Sequence, residues 1–176
     1  AWSAYVYKNS NLEYLDLSNS KITYLTCNYQ EYLPEIKLDN CRLLSSVSVN
    51  GCNALTRISL PNSKLSTFSV TDCNKLDYID ISYTGYLTKL DLTGCVNLRT
   101  LKMQGITNEN FREVDLRSLA SLSTLDISKC YYLNNIRVAN GFNAFTNVNF
   151  QESAIKTIQF GNNDLPNYLD LTPFNL

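Results

Sequence analysis

With 176 residues, 44% of them apolar and 18% charged, and a formal net charge of −1, this chain has the size and composition of one globular domain. That balance excludes a disordered acidic tail and leaves no basic footprint for nucleic acid. No apolar run approaches the ~18 residues needed to cross a bilayer, so no transmembrane segment is expected, and Ala1-Trp2-Ser3-Ala4 lacks the basic start of a signal peptide.

In chain order, the dominant signal is a frame Leu-x-x-Leu-x-Leu beginning at Leu12, Ile22, Leu33, Leu44, Leu55, Leu65, Leu76, Leu87, Leu98, Phe111, Leu122, Leu133, Phe145, Ile155 and Leu165. Trp2-x-x-Tyr5-x-Tyr7 extends it backwards. Three frame positions in each of these sixteen units make 48 places, of which 47 are apolar; a 44% apolar composition fills about 21 by chance. The exception is Asp170, where a shift of one residue to Leu169-x-Leu171 restores the pattern. The apolar residues at offsets three and five alternate with polar ones, as in Ile58-Ser59-Leu60, and that alternation is strand chemistry. Offset eight carries no charge in fifteen successive units, so a small inward position should follow each strand. No segment of 10–12 residues carries a 3.6-residue stripe, which argues against helices.

A strand and turn of ten or eleven residues is too short to close a coil, whereas two of them make a turn of 20–24 residues, inside the leucine-rich repeat range. The units therefore alternate between two faces, a first lane entered at Leu12 and a second entered at Ile22. The expected fold is an all-β leucine-rich repeat solenoid of about eight turns, with parallel strands on both faces and little or no helix. Insertions in solenoids map to loops, so Gln104–Asn110 and the smaller swelling at Ala139–Asn143 should protrude. The frame is already running at Trp2 and still running at Leu171, as expected of a single domain over 1–176 cut, uncapped, from a larger protein or complex.

Leu12-Glu-Tyr-Leu-Asp-Leu-Ser-Asn-Ser-Lys-Ile22 and Leu87-Thr-Lys-Leu-Asp-Leu-Thr-Gly-Cys-Val-Asn-Leu98 resemble bacterial leucine-rich repeats of the short nested class, with repeats of 20–22 residues. The resemblance covers nearly the whole chain. It implies a narrow coil with a parallel strand on each side and no helix on the convex side. It also implies a secreted or surface protein of Bacteroidota type, hence an extracellular or bacterial cell-surface location. Where such repeats carry asparagine at offset eight, this chain mostly carries Ser or Cys.

The chain has no histidine, which removes the commonest general base and most zinc sites. Carboxylates remain: Asp16, Asp80 and Asp126 share one outward position of the first lane, and Asp91 and Asp115 share that of the second. Strands of adjacent turns lie ~4.8 Å apart, so Asp91 and Asp115 could approach glycosidase spacing or share calcium, or could simply be solvated strand faces. Cys52, Cys73 and Cys95 form one inward column, Cys41 and Cys130 the equivalent column of the other lane, and Cys27 replaces a frame leucine. Recurring at 21 and 22 residues with no Cys-x-x-Cys pair, they read as small hydrophobes and not as metal ligands or bridges. No cofactor or metal is expected.

Tyrosine is the most suggestive feature, because nine of the twelve lie off the frame and tyrosine is enriched at interfaces. The expected binding surface is the first lane, where Tyr14, Asp16, Glu35, Lys37, Arg57, Tyr78 and Asp80 face out, with Tyr83, Tyr86, Tyr131 and Tyr132 just beyond their strands. The second lane, with Thr26, Ser46, Ser48, Thr67 and Ser69, is blander. The expected function is a non-catalytic module that recognises a protein partner; a glycan-binding or adhesive component of a surface nutrient-uptake complex is the alternative, favoured if exposed aromatics cluster in a groove. An enzyme is the third and weakest reading.

Overall fold

The structure, a computed structural model, describes residues 2–139 and 145–161. Among them lie fifteen strands and no helix, wound into a coil of seven turns with the strand that opens an eighth. The first lane holds β2 (Leu15–Asp16), β4 (Glu35–Lys37), β6 (Arg57–Ser59), β8 (Tyr78–Asp80), β10 (Thr100–Lys102), β12 (Thr124–Asp126) and β14 (Asn147–Asn149), all parallel in one seven-stranded sheet. The second lane is divided. β1 (Trp2–Tyr7), β3 (Ile22–Asn28), β5 (Ser46–Asn50), β7 (Thr67–Thr71) and β9 (Lys89–Asp91) form one sheet, and β11 (Glu113–Leu116), β13 (Asn135–Val138) and β15 (Thr157–Phe160) form another.

The alternation of two lanes follows from the period of two along each strand. Leu55, Ile58 and Leu60 are fully buried while Arg57 and Ser59 between and beside them face out, and the same alternation recurs in the middle turns. The core is therefore a thin column between the two faces. Most of the described strands end in a corner made by a residue in the left-handed region at offset seven, among them Asn19, Asn40, Gly51, Asn62, Asp72, Gly94 and Gly105. Asn, Asp and Gly adopt that conformation at least cost. The corner turns the chain inward, so offset eight is buried at Gln30, Cys41, Cys52, Ser63, Cys73, Thr84, Cys95, Ile106, Leu119 and Cys130.

The cysteines at this position do more than fill space. The thiols of Cys41, Cys52, Cys95 and Cys130 donate to the carbonyls of Leu17, Cys27, Val70 and Met103, each the offset-five residue one turn earlier, at 3.0, 3.4, 3.2 and 3.1 Å. A thiol ladder thus occupies the place that asparagine takes in the repeats this chain resembles, satisfying a buried carbonyl without a bulky amide. All six cysteines are buried and unbridged.

Three sequence expectations need correction. First, Ala4 and Val6 pair with Leu25 and Cys27 and turn inward, while Tyr5 and Tyr7 are 75% and 68% exposed. Past Trp2, which pairs with Ile22, the frame at Trp2-x-x-Tyr5-x-Tyr7 is out by one residue: the register shift between Trp2 and Ser3 sets Tyr5 and Tyr7 opposite the outward Thr26 and Asn28. Second, Gln104–Asn110 does not protrude as a whole. Gly105 and Ile106 form an ordinary buried corner behind a half-buried Gln104, and the exposed part is Thr107, Glu109 and Asn110. Third, β9 and β11 do not pair, so Asp91 and Asp115 are not neighbours across a 4.8 Å ladder. The swelling at Ala139–Asn143, apart from Ala139, and the frame residues Leu165 and Leu169–Leu171 lie outside the described residues.

Candidate functional site

Parallel pairing in register turns outward residues into columns. On the first lane one column reads Glu35, Arg57, Tyr78, Thr100, Thr124 and Asn147, and its neighbour reads Asp16, Lys37, Ser59, Asp80, Lys102 and Asp126. The Arg57 guanidinium lies 3.7 Å from the centroid of the Tyr78 ring, and the Lys102 ammonium lies 5.7 Å from it. Lys37 sits 5.5 Å from the Tyr14 ring. The tyrosines are held from the other end by carboxylates, the Tyr14 hydroxyl donating to Asp16 at 2.9 Å and that of Tyr78 to Asp80 at 3.3 Å. Cation–π contacts at exposed sites are worth about 0.5–1 kcal/mol each. Their consequence here is geometric: Tyr78 is half-buried and fixed by its neighbours, while Arg57 remains exposed.

The structure therefore brings together Tyr14, Asp16, Glu35, Lys37, Arg57, Tyr78 and Asp80 on one sheet face. Tyr83 and Tyr86 follow β8, and Tyr131 and Tyr132 follow β12, all four exposed at the corner beyond that face. Tyr83 adopts a φ of 59°, unfavourable for a bulky residue by roughly 1–2 kcal/mol, and its ring lies over Gly105 one turn on. A Cβ on Gly105 would come within 2.6 Å of that ring. Tyr29 (φ 56°) and Gly51 repeat the arrangement at the corner of the other lane.

The outward aspartates have a structural task. Asp16, Asp80, Asp91, Asp115 and Asp126 each accept the backbone N–H two residues on, at 2.8–3.1 Å, tying strand to corner. Hydrogen bonds from Ser18, with another from Tyr14, hold the Asp16 carboxyl below the usual carboxylate range. Asp115 is lowered by its bidentate bonds from Arg117, the shortest at 2.6 Å. Neither carboxyl is a raised, acid-holding group of the sort a glycosidase needs. Among the described residues no three His, Cys, Asp or Glu side chains converge as metal ligands.

A second cluster escaped the sequence reading because of the slipped frame. Tyr7 and Tyr29 meet edge to face with centroids 5.6 Å apart, and with Lys8, Glu31, Gly51 and Asn53 they line an open pocket of about 340 Å³. Trp2, Tyr5 and Tyr24 are exposed on the same end of the second lane. The second lane is thus bland only at its middle turns.

A family model described as the leucine-rich repeat domain of the endo-β-N-acetylglucosaminidase EndoS matches residues 11–130. The chain belongs to this EndoS-type leucine-rich repeat family. The match spans β2 to β12, so it includes most of the first lane and the division of the second. Neither the curated proteins nor the solved structures yield a match. The family describes a domain of an enzyme, and in this EndoS-type repeat the aspartates are committed to turn bonds.

Proposed function

We propose that this chain is a non-catalytic recognition module that binds a protein partner through the first lane, within a bacterial secreted or cell-surface protein. The observation that supports it most is the ladder of cations and rings on that face, Lys37 on Tyr14 and Arg57 and Lys102 on either side of Tyr78. Arginine and tyrosine dominate binding hot spots, and here they are ordered before any partner arrives, which reduces the entropy lost on association. Mixed charge along Glu35, Lys37, Arg57 and Asp80 suits a patterned partner better than a uniformly charged one.

The test uses the full chain and the partner it retains from its native source. Replacing Arg57, Tyr78 and Tyr86 together by Ala should weaken that complex by about 2 kcal/mol or more while leaving circular dichroism unchanged. Normal binding by this triple variant, with loss of binding on Ser48→Arg and Ser69→Arg, would move the interface to the second lane.

Glycan binding is the second reading, favoured by the Tyr7 and Tyr29 pocket, where exposed rings adjoin Lys8, Glu31 and Asn53. It expects saturable binding of a hexose or N-acetylhexosamine oligosaccharide that Tyr7→Ala abolishes. Retained binding in Tyr7→Ala, or none at millimolar sugar, would rule it out.

A further inference from the structure

The outer face of the second lane changes character along the coil. From β1 through β3 and β5 to β7 every outward position is uncharged, and the in-register columns meet their first charges at Lys89 and Asp91 on β9. The first lane has the opposite habit, with a charge on each strand from β2 to β8, at Asp16, Lys37, Arg57 and Asp80 among others. Hydroxyls on the second lane fall into two sets. Thr23, Ser45, Ser66 and Thr88, at strand entry, each donate to a backbone carbonyl one turn earlier at 3.0–3.1 Å. The hydroxyls of Thr26, Ser46, Ser48, Thr67 and Ser69, on the outward face, make no hydrogen bond among the described residues, and these residues stand partly open to solvent. Exposed rings flank this field. Tyr24, Tyr5 and Tyr7 occupy successive outward levels of β3 and β1, level with Ser3, Thr26 and Asn28, and therefore step along the strand direction by about 6.6 Å each. Tyr29 prolongs the row past the strand end, meeting Tyr7 edge to face at 5.6 Å.

We propose that this row of rings and the free hydroxyls beside it bind a neutral, extended oligosaccharide laid along β1 and β3, with one end in the Tyr7 and Tyr29 pocket. The proposal rests on that pocket being a sugar site, and it extends the site to a whole face and to one class of glycan. A pyranose carries an apolar face of C–H bonds and a rim of hydroxyls, so it calls for rings beneath it and uncommitted donors and acceptors at its side. One sheet face supplies both here. Acidic glycans are held by arginine and lysine, and the columns of this face present neither before Lys89. At the pocket end, the charge of Lys8 is offset by that of Glu31. Even steps between rings on a parallel sheet suit a straight chain better than a branched one.

Cellohexaose and mannohexaose are the neutral probes, cellobiose and mannobiose their short forms and hexagalacturonate the acidic control, each titrated into the full chain and followed by amide NMR. A neutral hexasaccharide should saturate, shift the amides of residues 24–29 and 46–50, and bind at least about tenfold tighter than its disaccharide. Tyr24 stands farthest along the row from the pocket, so Tyr24→Ala should weaken the hexasaccharide about fivefold and leave the disaccharide unchanged. Hexagalacturonate should not bind. The proposal is overturned by no saturation with either neutral hexasaccharide at millimolar concentration, by equal binding of hexagalacturonate, or by a dimer of the chain that Tyr5→Ala dissolves while no sugar binds. Disaccharide binding that equals the hexasaccharide and ignores Tyr24→Ala would also overturn it, yet would keep the pocket as a sugar site. Hexasaccharide binding should persist in the Arg57, Tyr78 and Tyr86 triple variant, so the first-lane reading stands or falls separately.

Discussion

The first lane runs unbroken through seven strands while the second divides after five, although both are cut from the same repeat. The strands on either side of the division are not poorer strand formers: Val114 and Leu116 are as apolar as Leu90 and Leu92. The difference lies in the link. Corner residue and next frame residue are three apart at Cys95 and Leu98 and again at Leu119 and Leu122, but five apart at Ile106 and Phe111. Two extra residues displace the entry of β11 on one face, while on the other β10 and β12 still pair in register. Pairing between turns in this coil is thus governed by the length of the connection and not by strand propensity, consistent with insertions marking the loops of solenoids.

Substitutions can probe that contrast. Ile79, fully buried in the continuous lane, should cost about 3 kcal/mol when replaced by Ala, within the 2–5 range for such deletions. Leu90, half-covered at the division, should cost less than about half as much. Equal losses in urea unfolding would mean that the division carries no local deficit of packing. A smaller effect belongs to Gly105→Ala, which forces Cβ into the left-handed region at φ 70° and against Tyr83. It should destabilise by about 2 kcal/mol, and Tyr83→Ala in the same chain should return the part due to contact but not the part due to φ. Full recovery would show that the corner tolerates a side chain.

Much of this architecture was legible. The frame, the two lanes, the inward position at offset eight and the burial of the cysteines follow from period two, from link lengths and from the uncharged column. The orientation of β1 was not legible, because Trp2-x-x-Tyr5-x-Tyr7 and Ala4-x-Val6 are both apolar in a tally, and tyrosine is content with one wet end. In the structure Ala4 and Val6 take the inward places, with a register irregularity between Trp2 and Ser3. The division of the second lane did leave a trace. At offset one, Thr23, Ser45, Ser66 and Thr88 place hydroxyls on the carbonyl one turn earlier, and then Arg112, Asn134 and Lys156 take over. The hydroxyl ladder stops where the sheet does. Which outward residues bind cannot be read from a repeat that uses aspartate at the same place for its own turns.

The cysteines should give the smallest response of all. Burial pushes the Cys130 thiol up to about 12, so it should stay protonated and unreactive toward a thiol reagent at pH 8 in the folded chain. All six should titrate after unfolding without reductant; fewer than six would reveal a bridge and undo the thiol ladder.

Native-state hydrogen exchange tests the central claim most directly, because it reads the rungs one amide at a time. Strong protection is expected at Ser66, Thr88, Asp72 and Asn134, whose bonds join successive turns, and little at Gly94 and Arg112, whose counterparts across the division are unmade. Protection at Gly94 and Arg112 equal to that at Asp72 and Asn134 would show a continuous second lane, contradicting the division.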